Sequence, residues 1–119
     1  MVVVPDTSVI MKWVLQPEDE PDVLRPLRLL RDYRARRLEI RVPNLWKRQA
    51  GNIPGLQYPE LAAETMEALL AVGIAEEFLD RDYCLAVLQF MREIRGVTFY
   101  DASSHLLAVR LRGTCITAD

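Results

Sequence analysis

A chain of 119 residues, half of them apolar, has the size of one compact domain and is too short for two. With 27 % charged residues and a formal net charge of -2 it is neither a disordered acidic tail nor a uniformly basic nucleic-acid wrapper. The charge is uneven, however: nine Lys or Arg fall between Arg25 and Arg48 against Asp32 and Glu39 alone, whereas Glu60 to Asp82 holds seven acids and one Arg, so a basic stripe is available to a phosphate backbone.

Val2-Val3-Val4 is a β-branched run stopped by Pro5-Asp6-Thr7-Ser8, the pattern of a fully buried central strand followed by a turn, as in parallel sheets. From Asp22 to Arg37, Val23, Leu24, Leu27, Leu29, Leu30 and Tyr33 recur at roughly helical spacing among arginines, and Pro26 is tolerated in the first turn, which predicts a basic amphipathic helix. Leu38 to Val42 alternates apolar and charged residues and ends at Pro43, predicting a short strand near a sheet edge. Asn44 is placed to cap a helix through Asn52, which Pro54-Gly55 ends early. Glu60 to Val72 predicts a further helix, with Leu61, Met66, Leu69 and Leu70 as its buried face and Gly73 as its stop. A short strand over Ile74 to Leu79 precedes a helix from Asp82 to Ile94 that stops near Gly96. Thr98 to Asp101 leads into another helix through Leu111, ended by Gly113, and Thr114 to Thr117 predicts a last parallel strand running into Ala118-Asp119. The expected architecture is α/β: a single domain over residues 1–119, with a mainly parallel sheet of about four strands and helices on both faces, three layers in all.

Cys84 and Cys115 sit in apolar runs without Cys-x-x-Cys spacing or a nearby histidine, which predicts buried free thiols rather than a zinc set. The N-terminus shows no charged leader, long apolar run or small-residue cleavage site, so the expectation is a cytoplasmic chain with no membrane partner.

Ligand sites of open parallel sheets form at the carboxyl ends of the strands. Three aspartates fall at or near such ends: Asp6 after Val2-Val3-Val4, Asp119 after Cys115-Ile116-Thr117, and Asp101 opening the helix after Val97 to Tyr100. Carboxylates gathered in this way repel one another unless a cation lies between them, and oxygen-only ligation suits a hard ion such as Mg2+ or Mn2+.

The segment from Val4 to Trp13 resembles the opening of VapC-like PIN domains, which begin with a strand, an Asp and a small hydroxyl residue. Tyr100-Asp101-Ala102 is similar to that family's Tyr-Asp-Ala, Thr117-Ala118-Asp119 to its Thr-x-Asp, and Pro43-Asn44-Leu45 followed by Asn52 to the frame of its Pro-x-Leu, Glu, Asn segment. The resemblance spans the whole chain with its motifs in order. It implies a PIN-like fold and a metal-dependent endoribonuclease, the toxin half of a toxin and antitoxin pair, working as a homodimer silenced by a small antitoxin protein. Asp6, Asp101 and Asp119 would hold the Mg2+ or Mn2+ used to cut RNA, with Ser8 supporting a ligand or water.

Two departures qualify the match. Gln49 stands where the family has a Glu, and no Asp or Glu occurs from Ile40 to Pro59. Two unit charges 4 Å apart are worth about 4 kcal/mol at an effective dielectric of 20, so a missing carboxylate weakens the hold on a dication, although the amide oxygen of Gln49 remains a neutral ligand. The sequence also ends at Asp119, where relatives continue through another helix and strand.

Each residue has a plainer role beside the functional one. Asp6 is an ordinary turn aspartate, Asp101 a helix cap, and Thr7, Ser103 and Ser104 structural hydroxyls. His105, one turn after Asp101, supports the site from behind or lies on the surface; the arginine-rich helix is a solvated face; Trp13 and Trp46 pack the core. Against the nuclease stands a catalytically impaired PIN-like module that binds RNA or protein. A haloacid-dehalogenase-type phosphatase requires a second Asp where Ser8 stands, and a receiver domain requires an acidic pair at the first strand and a Lys near the last.

Overall fold

The computed structural model describes residues 1–15 and 24–117. Asp22, Val23, Ala118 and Asp119, which carry the predicted start of the basic helix and the last candidate ligand, lie outside the described residues.

Among the described residues the order is β1 (Val2–Pro5), α1 (Thr7–Met11), α2 (Leu24–Arg34), β2 (Glu39–Pro43), α3 (Trp46–Gln57), a 3-10 turn (Pro59–Leu61), α4 (Ala62–Val72), β3 (Ala75–Glu77), α5 (Arg81–Glu93), α6 (Phe99–Arg110) and β4 (Thr114–Ile116). The four strands form one all-parallel sheet in the order β3-β2-β1-β4. The β-branched run at the start is indeed central: Val3 pairs with Ile40 on one side and with Thr114 on the other.

Alternation along the strands produces the layers, because successive side chains point to opposite faces. Val3, Ile40 and Val42 pack with Val9, Ile10, Leu29, Leu30, Trp46, Ala50 and Leu69 from α1 to α4. Val4 packs instead with Tyr83 and Val87 of α5 and Ala102, Leu107 and Ala108 of α6. Cys115 and Ile116 divide between the same two clusters, so the sheet lies between two separate apolar layers. The α/β architecture with helices on both faces is therefore that expected from the sequence pattern.

Several local readings change. β2 is interior, flanked by β1 and β3. Its charged positions are accommodated locally, with Arg41 2.5 Å from Glu77. Asn44 does not cap α3: it stands one position before the cap, and its N–H continues the sheet ladder to the Glu77 carbonyl at 3.0 Å. The cap position is Leu45, without a side-chain hydrogen bond. Nor does Pro54-Gly55 end α3, which runs on to Gln57. Proline removes one N–H and fixes one φ, but Pro54 is buried and its own carbonyl accepts from the Tyr58 N–H at 2.9 Å, so the helix resumes beyond it. On α4 the buried residues are Thr65 and Leu69, while Leu61 and Leu70 are about half exposed. Gly73 does stop that helix, at the left-handed φ of 73° that favours glycine.

The edge strand β3 is short and is held by its acids. Trp46 Nε1 donates to Glu76 at 2.7 Å, and Lys47 Nζ lies 3.1 Å from the same carboxylate. Trp13 is buried and donates from Nε1 to the Pro26 carbonyl at 2.8 Å, so both tryptophans serve the core. No helix among the described residues is long and apolar enough to cross a membrane.

Candidate metal centre at the carboxyl edge of the sheet

With all strands parallel, their carboxyl ends share one edge, and Asp6 lies there as the residue after β1. Its N–H donates to the Ile116 carbonyl at 2.9 Å, which ties it to the end of β4. Asp6 is extended (φ -76°, ψ 172°) and caps α1, its Oδ1 accepting from the Val9 N–H at 3.3 Å. The Ser8 hydroxyl donates to the same oxygen in a short hydrogen bond. One carboxylate oxygen thus serves the turn, as its plainer role requires, and Ser8 orients the group.

Asp101 reaches the same region from α6, whose N-terminus lies toward the carboxyl edge because the helix must run back before entering β4. The cap of α6 is Thr98, not Asp101: Thr98 is extended and its Oγ1 accepts from the Asp101 N–H at 3.1 Å. Asp101 sits in the first turn with its side chain exposed and released from capping. Thr98→Ala should cost about 1 kcal/mol, the usual worth of such a cap, and a lowered thermal midpoint with α6 still formed would report it.

Asp6 and Asp101 line one cleft of about 240 Å³ together with Gly96, Val97, Ser104, His105, Cys115 and Thr117. Ser104 follows Asp101 by one helical turn, and Cys115 and Thr117 are two apart on an extended segment, so period-matching from the predicted aspartates would have found these lining residues. His105 is exposed and its ring stacks on Phe90, with centroids 6.1 Å apart, in keeping with a surface or supporting role.

Cys115 is a free thiol and half-buried rather than buried, as is Cys84. Burial first, and then the Asp6 and Asp101 carboxylates, push the Cys115 thiol above its ordinary range. A group with a raised folded pKa contributes stability that is full below its unfolded pKa and is lost as pH rises through the folded value. Stability should therefore decline on the alkaline side of the thiol range. At about pH 8, thiolate-specific alkylation of Cys115 should be slower in the folded chain than in urea, as read by peptide mass spectrometry.

Gln49 does not join this cleft. It is half-buried, its Oε1 accepts from Thr7 Oγ1 at 2.5 Å, and it lines a space of about 10 Å³ with Pro5, Thr7, Trp46, Tyr100, Ser103 and Ser104, the last of which also lines the cleft. That is room for no more than one water. Thr7, as expected, is a structural hydroxyl; so is Ser103, whose Oγ donates to the Tyr100 carbonyl at 2.8 Å. Asn52 is exposed on α3.

The structure thus brings Asp6, Ser8 and Asp101 to one edge and leaves Gln49 out of the cleft lining. Asp119 is outside the described residues, two positions beyond Thr117 of the cleft wall. Among the described residues no three His, Cys, Asp or Glu side chains converge on a point that could hold a metal ion. The cleft lining offers two carboxylates and the hydroxyls of Ser104 and Thr117, oxygen donors that suit a hard divalent cation, beside the softer imidazole of His105 and thiol of Cys115. No protein-family model matches the chain, and no curated protein matches it either.

Proposed function

We propose that this chain is a metal-dependent endoribonuclease, similar to the PIN-domain toxins of toxin and antitoxin pairs. The observation that carries the reading is that Asp6 and Asp101, 95 positions apart by their numbering, line one cleft at the carboxyl edge of a parallel sheet. Mg2+ or Mn2+ is the implied cofactor, held by Asp6 and Asp101, with Asp119 as the third ligand implied by the resemblance. When bound, such an ion supplies an activated water and stabilises charge developing on a phosphodiester.

The chain's own residues prepare the cleft. Ser8 holds the Asp6 carboxylate in one rotamer, Thr98 takes over the cap of α6 so that Asp101 is available, and Thr117 brings a hydroxyl to the wall. RNA as substrate, a homodimer, a small antitoxin partner and a cytoplasmic setting belong to the same proposal.

The competing reading is a PIN-like binding module without full catalytic competence. It is favoured by one observation: the Gln49 oxygen is engaged by Thr7 and faces a space too small for more than a water. Calorimetric titration of Mn2+ decides between them when combined with cleavage of a structured RNA. For the nuclease, the wild type binds the ion and cuts, and Asp101→Asn weakens Mn2+ at least about tenfold through loss of one nearby charge. A wild type that neither binds nor cuts, while Gln49→Glu does both, would establish the binding module instead.

A further inference from the structure

Between residues 25 and 37 every exposed residue except Ala35 is an arginine: Arg25, Arg28, Arg31, Arg34, Arg36 and Arg37. In an α-helix each step of three residues turns the side chain back by about 60° and climbs about 4.5 Å. The four arginines of α2 therefore sweep over the half of the helix opposite the buried Leu29 and Leu30, and the last two continue past its end. The one acid in this span, Asp32, lies 3.8 Å from Arg31 and 3.3 Å from Arg37. Among the described residues Arg28, Arg34 and Arg36 have no ion-pair partner.

A second observation concerns the backbone. Arg36 has a φ of 59°, in the left-handed region where glycine or asparagine is less strained. Arg36 closes α2 in this conformation, its N–H donating to the Tyr33 carbonyl at 3.0 Å and the Arg37 N–H to the Asp32 carbonyl at 2.9 Å, and the turn carries the arginine row on past the helix end.

We propose that this arginine arc binds the phosphate backbone of a nucleic acid, on a surface distinct from the Asp6 and Asp101 cleft and without a metal ion. None of its residues lines that cleft. Guanidinium groups meet phosphates through paired N–H donors, and arcs of this kind carry no base-specific information. A protein partner is disfavoured by the lack of an anchor: stable protein interfaces centre on aromatic or aliphatic side chains, and the exposed set here offers only Ala35. Because the whole chain carries a net charge of -2, the attraction is local and steeply salt-dependent. The inference does not rest on the nuclease reading.

The test is fluorescence anisotropy in EDTA, which suppresses any metal-dependent cleavage, with a labelled oligouridylate, an oligothymidylate of equal length and a polyglutamate peptide. Four phosphate contacts on a single strand predict that affinity falls roughly 50-fold between about 50 and 200 mM salt. Arg28→Glu with Arg34→Glu should lower affinity at least about tenfold and roughly halve the salt slope. Arg36→Gly should weaken binding while leaving the thermal midpoint unchanged or higher, a combination that a structural role does not give. The control, Arg92→Glu with Arg95→Glu on and beyond α5, should bind as wild type does. The two oligonucleotides should bind within a few-fold of each other. The proposal is overturned by absence of wild-type binding, by an equal loss in the control, by strict preference for one sugar, or by polyglutamate binding as tightly as nucleic acid. It is equally overturned if sedimentation shows that the arc variants lose self-association rather than nucleic-acid binding.

Discussion

Asp6→Asn should abolish Mn2+-dependent RNA cleavage, by about 100-fold or more, while barely moving the thermal midpoint. The separation follows from the two roles of this side chain. As a cap it needs one acceptor oxygen for the Val9 N–H, and asparagine caps helices about as well as aspartate. As a ligand it needs a negative charge, and several kcal/mol of transition-state stabilisation depend on a well-held cation, each 1.36 kcal/mol being worth about tenfold in rate. Asp6→Ala should lose both, adding a destabilisation of about 1 kcal/mol. Single-turnover cleavage and thermal melts of the two variants supply the comparison. If Asp6→Asn cuts RNA at the wild-type rate, the aspartate is only a cap and the nuclease reading falls.

Gly113→Ala should be the more damaging change to the fold, although it adds a single methyl group. A Cβ at this position would meet the Val2 carbonyl oxygen at 2.5 Å and its carbon at 3.1 Å. The obstacle is backbone, so no flexible side chain can swing away. Either β1 or β4 must shift, and both contribute to the sheet register that sets Val3 opposite Thr114. Overpacking of this kind costs about 1–3 kcal/mol, which for a domain of this size is roughly 5–15 °C in thermal midpoint. Because β4 carries Cys115 and leads into Thr117 of the cleft, metal affinity should fall along with stability. A variant that melts with the wild type would mean that the two strands have more freedom than their packing implies.

The sequence was most legible where one signal dominated. Val2-Val3-Val4 has β-branched side chains and a hard stop, and it became the central strand; the alternation of Leu38 to Val42 and the short run of Thr114 to Thr117 became β2 and β4. Helix ends were harder to read, because several residues compete for each terminus. Asn44 is a good capping residue, yet the chain is still in the ladder to Glu77 there and α3 starts one position too late for it to be the cap. Asp101 competes with Thr98 for the α6 cap and loses, since the threonine stands at the point where the chain is still extended. Pro54 signals an ending that burial overrides. On α4 the sequence pattern finds Leu69, but Leu61 and Leu70 look like core residues in any pattern and are half exposed, while the layer admits Thr65.

At the candidate site, the carboxyl-edge rule for parallel sheets is enough to bring Asp6 and Asp101 together from the sequence alone. It was not enough for Gln49. Its place in the motif frame suggested a ligand, but only packing reveals that its amide faces Thr7. The thiol of Cys115 in the cleft wall was likewise hidden, because an apolar run predicts burial without saying which layer a side chain borders.

The pairing of β1 with β4 also bears on how the chain is made. Val4 and Cys115 are register partners across 111 positions, so the central strand, synthesised first, waits for one side of its ladder until nearly every other element has left the ribosome. Contacts so distant in sequence close late and slow the approach to the native state. A nascent chain arrested before β4 has α1 to α6 but no wall of Cys115 and Thr117, and hence no finished cleft. Under the nuclease reading, cleavage is thereby withheld from the growing polypeptide until the strand has been inserted.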